Sequence, residues 1–395
     1  MARRGQHTSK LRVMSTLLLF GDTRNSPAMR HEVPVAIADP FLFADIGGRP
    51  AVLTNWLDRG RIAAMLPAAR FLDVFELGLR ELREAGVPPL EAEREVVSRA
   101  VAELQIRDAV VPWDFPLAIA DRLRSDGVQI TVDDDRFAAR RRRKAGAELD
   151  GIRAAQAAGL AAMAHAAGLL AAAEIGPDGN LVAPGGAPLL AESVRDELRR
   201  VCADRGASCP ADMIVASVHN GHGHDPGSGP LPAGLPIVVD IFPRDEASGC
   251  WADMTRTFLV GAPAADYAQR LGEQVRLVRA ALDQARAAVR PGVTGRELHA
   301  AACDLFEAAG WATQRTGGEG GFQFSLGHGV GLEVHEPPGI GLAGDEPFVH
   351  GDVIAIEPGL SDPQIGEVRL EDLLLVTEDG CELLSPFPYE LTPSP

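Results

Sequence analysis

Two apolar segments in the second half of the chain each admit an acidic residue, and their spacing repeats. Ile237-Val238-Val239-Asp240-Ile241-Phe242 and Val353-Ile354-Ala355-Ile356, with Glu357 just past its end, read as strands, and each leads into a further apolar run with its own carboxylate. Those runs are Trp251 to Val260, holding Asp253, and Val368 to Thr377, holding Glu371. Asp240 and Glu357 stand 117 residues apart, Asp253 and Glu371 118 apart. A duplicated unit of helices followed by a two-stranded hairpin, folded about a pseudo-twofold axis, is the architecture this spacing predicts.

The helices before each hairpin are written in the pattern. Ala147 to Ala173 reads as a long alanine-rich helix, and Leu190 to Asp204 as another after the Gly/Pro loop Pro184 to Pro188. Tyr267, Leu271, Val275, Val278 and Leu282 fall on one face of a long helix that Arg290-Pro291-Gly292 ends. Thr294 with Glu297 forms a capping box opening a further helix to about Gly310.

A chain of 395 residues exceeds what one core organises, and its first third reads differently. Strands are expected at Pro50 to Leu53 and Gln129 to Val132, helices at Leu77 to Glu84 and Pro89 to Leu104. Residues 1–144 are thus expected to form an α/β domain without a cluster of ligand-type side chains, and residues 145–395 the second domain. Residues 1–13 are expected to be a disordered extension. Arg3, Arg4, Lys10 and Arg12 before Leu17-Leu18-Leu19-Phe20 imitate a signal peptide. That run is short, contains Ser15 and Thr16, and meets no small-x-small cleavage site, so a first strand is expected. No apolar stretch approaches the length of a membrane span, and a cytoplasmic location is expected. The net charge of −17 disfavours nucleic acid and anionic membranes as partners. Arg140 to Lys144 reads as a solvated linker opening a helix. Five scattered cysteines without a CxxC pair read as buried free thiols.

The carboxylates carry the chemical argument. Asp240 interrupts an apolar strand, where a lone buried charge is costly. Glu367, Arg369 and Glu371 alternate with Val368 and Leu370, so the charged set shares one face. Four carboxylates on apolar strands repel one another unless cations neutralise them, and two divalent ions balance four negative charges. His328 lies among glycines in Ser325-Leu326-Gly327-His328-Gly329-Val330-Gly331, where the backbone can pass close to a ligand. His335 follows seven residues later. One imidazole among several carboxylates is an oxygen-rich donor set that favours manganese or cobalt and does not exclude zinc. Singly, each residue has a commonplace reading as a turn, a solvated edge or a loop donor. The five together, in this order and at this spacing, do not.

Asp240, Asp253 in Asp253-Met254-Thr255-Arg256-Thr257, His328, Glu357 in Ile356-Glu357-Pro358-Gly359, and Glu371 in Arg369-Leu370-Glu371-Asp372 resemble the five metal ligands of the pita-bread metallopeptidases. The resemblance covers roughly residues 147–385. The front domain resembles the creatinase-type N-terminal domain more weakly. The short Glu357 to Glu371 spacing is similar to Xaa-Pro aminopeptidases and prolidases, whereas methionine aminopeptidases separate these glutamates further. The resemblance implies that Asp240 chelates one metal and His328 the other, that Asp253 and Glu371 bridge them, and that Glu357 binds the second metal while handling the proton of the attacking water. It places His335 and His224 against the substrate carbonyl and its developing charge, and Arg369 behind Asp253 or Glu371 as a support.

Three points depart from the family pattern. The turn between Asp240 and Asp253 is about two residues longer than in common prolidases, which leaves Asp245 as a conceivable ligand. His219, His222 and His224 crowd one loop, and His224 matches the pattern best. Many relatives have a histidine four residues before the ligand imidazole, where this chain has Phe324. The implied activity is metal-assisted hydrolysis of Xaa-Pro bonds at peptide N-termini. A prolidase confined to dipeptides and a catalytically silent binding protein are the alternatives. The implied partners are proline-containing peptides and a second copy of the chain.

Overall fold

The computed structural model describes residues 16–144, 146–221 and 223–394. The chain divides into two compact units, Met1–Arg141 and Arg142–Pro395. The expected extension, residues 1–13, lies outside the described residues.

The first unit has strands β1 (Thr16–Gly21), β2 (Phe41–Asp45), β3 (Pro50–Thr54), β4 (Arg70–Asp73), β5 (Asp108–Val111) and β6 (Gln129–Val132). They form one mixed sheet in the order β4-β3-β2-β1-β5-β6. The helices are α1 (Pro27–Glu32), α2 (Trp56–Met65), α3 (Leu79–Glu84), α4 (Pro89–Glu103), α5 (Leu117–Ser125) and α6 (Asp134–Arg141). Both faces of β1 are covered. Leu18 packs with Val96, Val97 and Ile119 on one side, and Leu17 and Leu19 pack with Met29 and Ile62 on the other. A strand buried on both faces reads as an unbroken apolar run, which is why this segment imitates a signal peptide.

The second unit opens with α7 (Ala147–Ala172), the ribbon of β7 (Glu174–Ile175) and β8 (Leu181–Val182), and α8 (Ala191–Ala203). Then come β9 (Ala207–Ser208), β10 (Ile214–Ala216), β11 (Ile237–Ile241), β12 (Arg244–Asp245), which pairs with β9, and β13 (Met254–Phe258). Two more helices follow, α9 (Ala265–Ala288) and α10 (Gly295–Ala308). The chain ends in β14 (Gly327–Gly329), β15 (Glu336–Ile340), β16 (Val353–Ile356), β17 (Gly359–Asp362), β18 (Gly366–Arg369), β19 (Asp372–Val376) and β20 (Cys381–Leu383). One antiparallel sheet runs β10-β11-β13 and the other β15-β14-β16-β19-β20. A helix pair followed by three antiparallel strands therefore occurs twice, as α7-α8-β10-β11-β13 and as α9-α10-β14-β16-β19. The capping box of α10 is present, with Thr294 N–H donating to Glu297 Oε2 at 2.8 Å and Glu297 N–H to Thr294 Oγ1 at 3.2 Å.

The structure corrects three expectations. The second hairpin is not continuous. β16 pairs with β19 and β17 with β18, and the chain breaks at Glu357-Pro358 on one side and Leu370-Glu371 on the other. Pro358 has no N–H to continue the ladder, and its carbonyl accepts instead from Leu370 N–H at 3.3 Å. The basic run at 140–144 is not a solvated linker. Arg142 bonds the buried Asp352 at 2.7 Å, and Lys144 forms a buried ion pair with Glu336 at 2.5 Å. Finally, α7 is long and apolar enough, by length and composition, to cross a membrane, with half of its most apolar stretch buried within the unit. Its alanines and Met163 pack with Leu198 of α8 and Val239 of β11.

Candidate active site

The breaks and strand ends of the second unit deliver its polar side chains to one place. Asp240 is the fourth residue of β11, paired across to Thr255. Asp253 immediately precedes β13. Glu357 follows β16, its N–H donating to Leu326 O at 2.8 Å, and Glu371 precedes β19, its N–H donating to Thr255 O at 3.0 Å. His328 is central in β14, opposite Ala355. The flanking glycines serve strand packing: a Cβ on Gly327 would meet Ala355 O at 1.9 Å, and one on Gly329 would meet Pro337 O at 2.5 Å. The loops after β10 and β14 bring in His224 and His335 from equivalent places in the two halves.

One cavity of about 330 Å³ is lined by His224, Asp240, Asp253, His328, His335, Glu357, Arg369 and Glu371, with Asp212, Ile214, Phe242 and Val334 completing its wall. All eight side chains singled out in the sequence therefore meet. The remaining possibilities lie elsewhere. Asp245 accepts from Ser248 N–H at 2.7 Å and Ser248 Oγ at 2.6 Å, closing the longer turn, and does not line the cavity. His219 does not line it either, and His222 lies outside the described residues. Phe324 does not line the cavity; it packs edge-on against Phe322 with ring centres 5.1 Å apart and lies beneath the guanidinium of the wall residue Arg369, 6.0 Å from its ring centre.

Among the described residues, three groups of donor atoms lie within 4.8 Å of one another: Asp240, Asp253 and Glu371; His328, Glu357 and Glu371; and Asp253, His328 and His335. Asp253, Glu371 and His328 each belong to two groups, and of these only the two carboxylates have a second oxygen with which to reach a second ion. Burial raises the pKa of all four carboxyls. At Asp253, Glu357 and Glu371 the neighbouring carboxylates raise it further, while Arg369 lowers it at all four. Glu357 is pushed up to about 8. Asp240 Oδ1 and Asp253 Oδ1 are buried without a hydrogen-bond partner. Buried, mutually repelling carboxylates with orphaned oxygens match the donor requirements of divalent cations.

His328 suits the same role. Its Nδ1 lies 3.1 Å from Gly329 O, which fixes the proton there and leaves Nε2 as the acceptor facing Glu357 Oε1 at 3.6 Å and Asp253 Oδ2 at 3.8 Å. Burial, with His335 beside it, lowers its pKa to about 4, so the ring is a neutral donor. His335 meets it edge-on, ring centres 4.2 Å apart. His335 is exposed over much of its surface, and partial burial followed by His224 lowers its pKa.

Arg369 corrects the expected support. It donates to Asp240 Oδ2 at 3.0 Å, not to Asp253 or Glu371. Glu371 Oε2 is held by Thr255 Oγ1 at 2.8 Å. Strand alternation in Asp253-Met254-Thr255-Arg256-Thr257 puts Thr255 and Thr257 on the Asp253 side, a signal for both that was present in the sequence. Thr257 Oγ1 donates to Arg369 O at 2.8 Å and accepts Arg369 N–H at 2.9 Å. Arg256, on the other face, donates to Glu371 O at 2.6 Å, a contact no local pattern announces.

The profile of metallopeptidase family M24 matches residues 150–378, more than half of the chain. The chain is 39% identical over 190 residues to the "Probable dipeptidase PepE" of Mycobacterium tuberculosis, covering 47% of each chain. It is 35% identical over 190 residues to an Xaa-Pro dipeptidase of Pyrococcus furiosus, covering 47% of this chain and 51% of that one. The matched segment spans about half the length of these relatives. The prolidase of Pyrococcus horikoshii shares the fold over 95% of both chains, with a TM-score of 0.74 at 22% identity. The mixed α/β chain thus carries the pita-bread fold, and it belongs to metallopeptidase family M24.

Proposed function

We propose that this protein is a dinuclear-metal peptidase that hydrolyses the bond before proline next to a free N-terminus. The observation that carries the proposal is the convergence of four carboxylates, three buried and Glu357 half-buried, and a neutral imidazole on one cavity. Asp240, Asp253 and Glu371 would hold one cation, and His328, Glu357, Asp253 and Glu371 the other. When bound there, the cations would supply the acidity that lets water attack at neutral pH and the polarisation of the scissile carbonyl. The oxygen-rich donor set supports manganese or cobalt over zinc.

The chain's own groups do the rest. Glu357, ionised when the cations are in place, would take the proton of the attacking water and pass it to the departing proline nitrogen. His335 and His224, at the cavity wall, donate to the carbonyl oxygen as it gains charge. Arg369 keeps Asp240 oriented. Proline's tertiary amide defines the substrate, since it offers no N–H to ordinary peptidases. The two sequence relatives, both named as dipeptidases, support dipeptides as substrates. Longer Xaa-Pro peptides are the alternative within the same chemistry. A homodimer in the cytoplasm completes the reading. Purified protein supplied with Mn²⁺ is expected to cleave Leu-Pro, and comparison with Leu-Pro-Ala ranks the two substrate classes. Failure to cleave either, with metal bound, refutes the proposal and favours a silent binding protein.

A further inference from the structure

A second cavity, of about 410 Å³, adjoins the first, and Ile214 and Arg369 line both. Its apolar wall includes Ala216, Val218, Pro236 and Val238. Two polar atoms in its lining are buried with no hydrogen-bond partner: Ser217 Oγ, on a residue 4% exposed, and Glu367 Oε1, on a side chain 9% exposed. Native structures leave few such atoms unsatisfied without a reason. Arg369 Nη1 forms an ion pair with Glu367 Oε1 at 3.7 Å but lies beyond hydrogen-bond range, and its guanidinium donates to Asp240, so the oxygen keeps its need for a donor. Asp362, also in the lining, is paired with Arg270. Glu319 stands exposed at the edge and adds negative charge.

These features describe a ligand that is apolar along its length and a donor at its tip. A carboxylate only accepts, so its ligand must donate. An aliphatic stem along Ala216, Val218 and Val238 with a charged head at Glu367 is the way lysine and arginine bury themselves. We propose that this cavity receives the side chain of the residue before proline and favours a cationic one, its head group donating to Glu367 Oε1 and Ser217 Oγ. The inference rests on the first cavity being the Xaa-Pro site.

The test uses the full chain loaded with Mn²⁺ and two matched pairs, Lys-Pro with norleucine-Pro, and Lys-Pro-Ala with norleucine-Pro-Ala. Stem length is equal within each pair and the head charge differs. The lysine member is expected to have a kcat/KM about tenfold higher or more, the scale of a charged hydrogen bond, carried by KM. Glu367→Gln is expected to bring the ratio close to one, and Glu319→Gln, at an exposed position that folding tolerates, to lower it about twofold. A wild-type ratio near one, or a ratio that neither substitution changes, overturns the inference while leaving Xaa-Pro hydrolysis intact. Cleavage of neither pair by metal-loaded protein overturns both.

Discussion

Arg256 touches no proposed ligand side chain, yet replacing it should disable the site. Its side chain is 1% exposed and donates to six acceptors. Nε reaches Pro388 O at 3.0 Å, and Nη1 reaches Thr255 O at 2.8 Å and Glu371 O at 2.6 Å. Nη2 reaches Asp372 Oδ1 at 3.1 Å, Phe387 O at 3.1 Å and Ser385 O at 3.3 Å. Arg256→Met keeps an extended side chain and removes every donor. Asp372 retains Tyr389 Oη at 2.7 Å and Arg286 Nη1 at 3.4 Å, so its charge is not stranded. The cost falls on the buried carbonyls that lose their donor, at about 1–3 kcal/mol for each one left unsatisfied, and about 3–5 kcal/mol in all. At about 2–4 °C per kcal/mol for a domain of this size, the second unit should melt about 6–20 °C lower. Releasing the Glu371 carbonyl should also weaken metal retention. Thermal unfolding with metal content measured on the same sample checks both. A melting point within about 2 °C of wild type, with metal retained, would refute the reasoning.

Two further outcomes follow from the same geometry. His335→Ala should retain metal while turnover on an Xaa-Pro peptide falls about a hundredfold, the scale of losing one transition-state donor; joint loss of metal would make it a ligand, which its position beside Asp253 and His328 allows, and unchanged turnover would remove it from catalysis. In metal-free protein burial pushes the Glu357 carboxyl up to about 8 from an ordinary 4.5, so the folded state binds the extra proton between these values. That stability is complete below pH 4.5 and is lost as the pH rises through about 8. Melting curves of metal-free protein should therefore show a decline from pH 5 to 8 that Glu357→Gln reduces; equal slopes for the two proteins would contradict this.

The site was legible because carboxylates inside apolar strands are costly and their spacing repeats. Asp240 alone sits inside its strand; Glu357 follows the end of one and gains meaning only beside the others, and the duplicated order of helices and strands follows from the offset. Contacts across long sequence separations were not legible. Strand parity puts Arg369 on the charged face but does not say which carboxylate lies across from it, and the answer, Asp240, depends on how the two halves meet. Arg142 reads as a solvated cation because its partner Asp352 is 210 residues away. The break at Pro358 could be read from proline's missing N–H, whereas the matching break at Leu370-Glu371 has no local mark and is imposed by the partner strand.

The central claim is a pair of bridged cations, and titration of Mn²⁺ into metal-free protein by calorimetry tests it most directly. The wild-type chain should take up about two ions, and Asp253→Ala and Glu371→Ala should each abolish tight binding of both, because each carboxylate belongs to two donor groups. Uptake of a single ion by the wild type, or loss of only one ion in either variant, would contradict the account.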